Sequence, residues 1–127
     1  MLCWTYQIDL FFVYRCAGRV VPSVIAIDCE MCETADPVTG VKESALIRLS
    51  IINGMNPSEV LIDVLVVPAN PITDMRSHIH GITEEHLKDQ KFTLRQAQAF
   101  LYNLCSDRTI IVGHSVHNDL KALHFQH

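Results

Sequence analysis

The sequence predicts an α/β fold built on a mixed sheet: an antiparallel three-strand meander plus one parallel strand, with helices on the faces. Three observations predict it. Segments rich in β-branched residues, separated by short turn-forming loops, fill the first half of the chain. From Thr93 onward, apolar residues recur at helical spacing. A short apolar run, a glycine and a second helical pattern then follow, the order in which a helical crossover returns a strand parallel to an earlier one.

The elements follow in order. Residues 23–31 (SVIAIDCEM) read as a strand, and residues 35–40 (ADPVTG) as a loop by their turn chemistry. Residues 45–52 alternate, with Ile47, Leu49 and Ile51 on one face and Arg48 and Ser50 on the other. Asn53-Gly54 signals a tight turn into a third strand over 59–67. After Pro71 the period changes. Thr83 caps a short helix with Glu84 and Glu85 in its first turn. Leu94, Ala97, Leu101 and Leu104 mark an amphipathic helix starting at Thr93. Residues 109–112 read as a short buried strand, Gly113 turns the chain, and residues 115–125 form a last helix that needs a further strand or surface to pack on. At the N-terminus, the apolar patch from Ile8 to Val13 is interrupted by Asp9 and followed by Arg15 and Arg19. A signal peptide carries its bases ahead of a longer apolar region, so residues 1–22 read as a strand or leader of uncertain structure, and residues 23–127 as one domain.

Composition narrows the function. The 127 residues are 49% apolar, which suits a single globular domain. Fourteen acids against 10 Lys and Arg leave a net charge of −4, which excludes a strongly basic nucleic-acid-coating protein. No apolar stretch approaches the ~20 residues of a membrane span, so no membrane partner is expected. Five cysteines at irregular spacing suggest no disulfide framework and a reducing, intracellular compartment. Cys29-Glu30-Met31-Cys32 has C-x-x-C form, but it straddles a strand end beside an acid, and Cys105 alone does not complete a zinc site. These cysteines are expected to be buried. Of the seven histidines, His78 and His80 read as loop residues, while His117 and His124 fall on one face of the last helix, at the surface. The basic residues are scattered rather than in a run, which reads as a solvated surface.

The chemistry rests on carboxylates. Asp28 and Glu30 are two apart at a strand end, so both point to one face. Paired acids repel, and a divalent cation supplies the missing positive charge. Oxygen ligands of this hardness select Mg²⁺ or Mn²⁺ over zinc. Asp119, near the start of the last helix, lies after the turn that follows the 109–112 strand, and sites in open sheets gather at such strand ends. Taken singly, D-x-E also suits a solvated strand end, and Asp119 an acid complementing a helix dipole. Together, three acids could hold two metals ~4 Å apart and serve an in-line phosphoryl displacement.

Asp28-Cys29-Glu30-Met31-Cys32 resembles the first motif of DEDD-type 3′→5′ exonucleases, in the form used by the RNA exonuclease (Rex-type) branch. Gly113-His114-Ser115 through Asp119-Leu120 resembles their second motif, and His80-Gly81-Ile82-Thr83 between them is also similar. The resemblance runs from about residue 24 to residue 127. It implies a ribonuclease H-like fold, two divalent cations, and hydrolytic removal of nucleotides from a single-stranded RNA 3′ end, in the nucleus rather than the cytoplasm. Carried over by position, it implies that Asp28, Glu30 and Asp119 are the catalytic metal ligands. Met31 would lie against the terminal nucleotide, and the loop of His80, Gly81 and Ile82 would help form its pocket. The family's third motif, a general-base His separated by four residues from a fourth ligand Asp, has no counterpart downstream. His114 and Asp119 have that spacing, but this Asp belongs to the second motif and this His precedes it. The expectation is therefore a C-terminally incomplete exonuclease domain, weak or inactive alone. The alternatives are a non-catalytic remnant that binds RNA or a protein, and a DNA-directed proofreading-type exonuclease, which shares the motifs.

Overall fold

The computed structural model describes residues 21–127. The expected N-terminal leader, apart from Val21 and Pro22, lies outside the described residues.

Strand β1 (Val24–Ala35) is the centre of a five-stranded sheet. One edge pairs antiparallel with β2 (Lys42–Asn53), which pairs antiparallel with β3 (Asn56–Leu65). The three strands form the expected meander. Its first loop is drawn tight by Asp36, whose Oδ1 accepts from the Val38 and Thr39 N–H groups at 2.8 Å each.

The other edge of β1 is shared. Strand β4 (Ile72–Asp74) pairs antiparallel with its end, Glu33↔Asp74 and Thr34↔Ile72. Strand β5 (Ile110–Val112) pairs parallel with its start, from Val24↔Ile110 to Ala26↔Val112. Between those two pairings, residues 27–32 have no strand partner on that edge among the described residues.

Helices α1 (Ser77–His80), α2 (Glu84–Leu87), α3 (Leu94–Leu104) and α4 (Val116–Ala122) complete the fold. Strand β4 and α1 are additions to the sequence reading. Each is a single short element whose placement comes from tertiary pairing rather than from any period. Helix α1 starts at Arg76, a left-handed residue (φ 56°) whose N–H is held by Asp74 Oδ1 at 2.9 Å. Helix α3 opens on the reciprocal bonds of Thr93 and Gln96, a capping box that fixes its first turn.

Side chains of β1 alternate, and the two faces are covered differently. Ile25, Ile27 and Cys29 join Leu49, Ile51 and Ile62 beneath α3 and α4, where Ala97, Leu101, Leu104, Ala122, Leu123 and Phe125 close the larger core. On the opposite face Cys32 and Ile47 lie beneath Ile82 and Leu87. A bulge makes the change. Register jumps from Glu30↔Arg48 to Met31↔Leu46, leaving Ile47 as the extra residue of β2. Leu46 therefore enters the larger core while Ile47 enters the smaller one. Cys29 and Cys32 consequently face opposite sides of the sheet, which rules out a disulfide between them.

Three expectations are corrected. Strand β5 is covered on one face only: Ile111 packs against the larger core, while Ile110 and Val112, on the other face, are 57% and 42% exposed. The last helix is shorter than 115–125, being bracketed by left-handed Ser115 (φ 51°) and His124 (φ 49°). His124 thus falls beyond the helix, with its Nε2 3.8 Å from a Glu43 carboxylate oxygen. The third strand begins earlier and ends earlier than 59–67, since the Asn53-Gly54 turn leads straight into pairing at Asn56.

Candidate functional site

Asp28 and Glu30 stand on the second face of β1, just before the part covered by the smaller core. Asp28 is exposed and Glu30 half-buried. Arg48 lies opposite Glu30 in register, but its guanidinium is committed to Asp63 through two bonds, Nε–Oδ1 at 2.9 Å and Nη2–Oδ2 at 2.8 Å. Among the described residues, neither Asp28 nor Glu30 has a cation at ion-pair distance. Two acids are thus held side by side by strand geometry, with only the nearby charge of Arg48, itself paired to Asp63, acting on them among the described residues.

Asp119 reaches the same strand from α4. Gly113 makes this possible. A Cβ there would sit 2.7 Å from the carbonyl oxygen of Ile27, so only glycine lets the turn after β5 run this close to β1. Asp119 is only 5% exposed, and its Oδ1 accepts from the Cys29 N–H at 2.7 Å. That N–H belongs to the stretch of β1 without a strand partner, so the carboxylate takes the place of a neighbouring strand's carbonyl. Burial pushes the Asp119 carboxyl above the ordinary range, the hydrogen bonds from Cys29 oppose the rise, and the charge of Asp28 adds to it. The buried Cys29 thiol is raised by desolvation first and then by Asp119, Asp28 and Glu30. All three acids therefore bear on one point of β1.

The remaining expected residues are placed as follows. Ile82 is buried against Cys32, two positions beyond Glu30, so the loop of His80, Gly81 and Ile82 borders the open carboxylate face. Met31 is half-buried against the larger core. As oxygen donors, Asp28, Glu30 and Asp119 suit a hard divalent cation by type. Among the described residues, no three His, Cys, Asp or Glu side chains form a ready-made cation site. Sequence reasoning overlooked the Cys29 N–H as the anchor of Asp119. The signal available was Gly113 between strand and helix, which marks a close backbone approach.

A family model described as "Exonuclease" (RNase T) matches residues 25–127. RNA exonuclease 1 of Saccharomyces cerevisiae is 39% identical over 105 residues, covering 82% of this chain and 18% of that protein. RNA exonuclease 4 of Candida glabrata is 38% identical over 103 residues, covering 81% of this chain and 36% of that protein. The human RNA exonuclease 1 homolog is 35% identical over 116 residues, 91% of this chain and 9% of that protein. The chain therefore spans well under half the length of these relatives. Among solved structures, the Saccharomyces cerevisiae Pan2 pseudoubiquitin hydrolase-RNA exonuclease module in complex with A7 RNA superposes with a TM-score of 0.69 at 24% identity, over 86% of this chain and 20% of that chain. The Neurospora crassa Pan2 catalytic unit gives a TM-score of 0.66 at 21% identity, over 85% of this chain and 18% of that one. These likenesses bear out the expected ribonuclease H-like fold.

Proposed function

The chain belongs to the RNase T exonuclease family, and from that premise we propose that it contributes the catalytic face of a metal-dependent 3′→5′ exoribonuclease. The observation that carries this reading is the convergence on β1 of two carboxylates, Asp28 and Glu30, that have no ion-pair partner among the described residues, and a third, Asp119, tied to the strand between them. Asp28, Glu30 and Asp119 are the residues that would hold two Mg²⁺ or Mn²⁺ ions. Those cations, when bound, supply an activated water and a charge to stabilise the leaving oxygen.

The chain's own residues do the rest. The Cys29 N–H takes one acceptor site of Asp119 Oδ1 and so fixes the carboxylate against β1. The rigid centre of the sheet fixes the direction of Asp28 and Glu30. Ile82, with the loop from His80, would form the wall beside Glu30 against which the last nucleotide of a single-stranded RNA would rest; Met31, expected there too, packs instead on the opposite face of β1 against the larger core. The RNA preference rests on the relatives named for RNA.

The test is decay of 5′-labelled RNA by the protein with Mg²⁺ or Mn²⁺, beside labelled DNA of the same sequence. Stepwise shortening that disappears in Asp28→Asn and Glu30→Gln is expected. Unchanged trimming by those variants would show the assignment to be wrong, and faster loss of DNA would favour the proofreading alternative. A second reading, binding without turnover, is favoured by one observation: among the described residues, no three His, Cys, Asp or Glu side chains form a ready-made cation site. It predicts that residues 1–127 alone retain RNA while hydrolysing it orders of magnitude more slowly than a full-length homologue.

A further inference from the structure

The wall beside Glu30 is held together in an unusual way. Ile82 and Thr83 present consecutive backbone N–H groups, and each donates to a histidine ring. The Ile82 N–H donates to His80 Nδ1 and the Thr83 N–H to His86 Nδ1, both at 3.0 Å. The Ile82 carbonyl accepts from the Ser77 hydroxyl, and left-handed Gly81 (φ 75°) closes α1 on Ser77. The two peptide groups that line the wall are therefore positioned by side chains rather than by a strand or a long helix.

A ring nitrogen that accepts an N–H must be unprotonated, so both histidines act here in the neutral form. Protonation turns each acceptor into a donor facing a donor. At His80 it also leaves a charge beside Nε2, which is buried without a partner among the described residues. His86 holds the third helical position of α2, where a capping box ordinarily carries Glu or Gln, acceptors that do not titrate near neutrality.

We propose that His80 and His86 are positioning residues of the nucleotide pocket: as neutral acceptors they fix the Ile82 and Thr83 amides, and mild acid releases that segment and weakens the hold on an RNA 3′ end. The nucleotide part of this rests on the exonuclease reading above. The charged groups around the segment are accounted for elsewhere. Glu85 pairs with Lys88 on α2, Glu33 of β1 with Lys42, and Asp74 of β4 holds the N–H of Arg76, whose guanidinium donates to Ser44. Glu84 and His78 on the two short helices are exposed, and Glu30 is the acid next along β1. None of these is hydrogen-bonded to either imidazole.

The test compares wild type with the double variant His80→Asn, His86→Gln. Asn carries an acceptor able to bond the amide two residues on, and Gln is the usual capping-box acceptor, so both bonds persist without titrating. Amide exchange, corrected for intrinsic rates, is read at Ile82 and Thr83 at about pH 7.5 and about pH 5.5, either side of the usual histidine range. Wild type is expected to lose about tenfold protection at the lower pH and the double variant to keep it. In parallel, binding of a fluorescent hexaribonucleotide with a free 3′ hydroxyl, in EDTA, is expected to weaken about threefold or more in wild type and not in the variant. Protection independent of pH in wild type would overturn the proposal, as would equal acid weakening of binding in both proteins. Amides that respond as expected in a wild type that neither binds nor trims RNA at the higher pH would overturn the exonuclease reading and leave the histidine clamp standing.

Discussion

Asp119 is the residue whose replacement separates two roles most cleanly. In Asp119→Ala the Cys29 N–H loses its acceptor at a place where no strand can replace it, beside a residue only 6% exposed. Leaving a buried donor unsatisfied costs ~1–3 kcal/mol. With a urea m-value of ~2 kcal/mol/M, a cost in the middle of that range lowers the unfolding midpoint by about 1 M. Asp119→Asn keeps an acceptor oxygen and removes the charge. Because burial raises the Asp119 carboxyl, the folded state holds its proton more tightly than the unfolded chain does, so removing the charge should cost no stability and the Asn variant should be at least as stable as wild type at neutral pH. The sign follows from the raised value. The stability of wild type relative to Asp119→Asn is highest below the ordinary carboxylate range, and falls as pH rises through the raised native value. Urea titrations of the three proteins at several pH values measure this. If Asp119→Asn loses as much as Asp119→Ala at neutral pH, then the charge, and not the acceptor oxygen, ties α4 to β1 and the reasoning fails.

Other outcomes follow from the same geometry. Millimolar Mg²⁺ or Mn²⁺ should raise the melting temperature of wild type by mass action and do so less in Asp28→Asn/Glu30→Gln, as read by a thermal shift series; equal shifts would place the ion elsewhere. Gly113→Ala puts a methyl group 2.7 Å from the Ile27 carbonyl oxygen, which is backbone and cannot swing away, so a loss of ~1–3 kcal/mol in urea unfolding is expected. The Arg48–Asp63 pair is partly exposed, so Asp63→Asn should cost no more than ~1 kcal/mol. Hydrogen bonding from Arg48 holds the Asp63 carboxyl low, so that small contribution is present above the ordinary carboxylate range. It disappears as pH falls through the lowered value, which stability curves with and without added salt would register.

Much of the architecture was legible because it is periodic. Alternation marked β2, with Leu49 and Ile51 on one face as expected, although Ile47, expected beside them, turns to the other face at the bulge; the recurrence of Ala97, Leu101 and Leu104 marked α3. The bulge was not legible, since Leu46 and Ile47 are both apolar and only pairing with β1 shows that they part to opposite faces. Strand β4 and α1 were missed because single turns and three-residue strands carry no period. Asp28 and Glu30 could be placed on one face from spacing two alone. The tie between Asp119 and Cys29 could not, because it joins residues 90 positions apart through one side-chain oxygen. His86 escaped attention because a histidine in the place of Glu or Gln looks like an ordinary surface residue until its acceptor nitrogen is seen facing the Thr83 amide.

The gap along β1 also bears on how losses of activity would be written into sequences. A protein of this architecture that stopped cleaving RNA would have no structural reason to keep exposed Asp28 or half-buried Glu30. It would still need an oxygen at position 119, because among the described residues the Cys29 amide has no other acceptor there. Selection for folding alone would preserve Asp119 or exchange it for Asn, while the pair on β1 drifted. An intact acid at 119 is therefore poor testimony to catalysis, and the fate of positions 28 and 30 is the better witness.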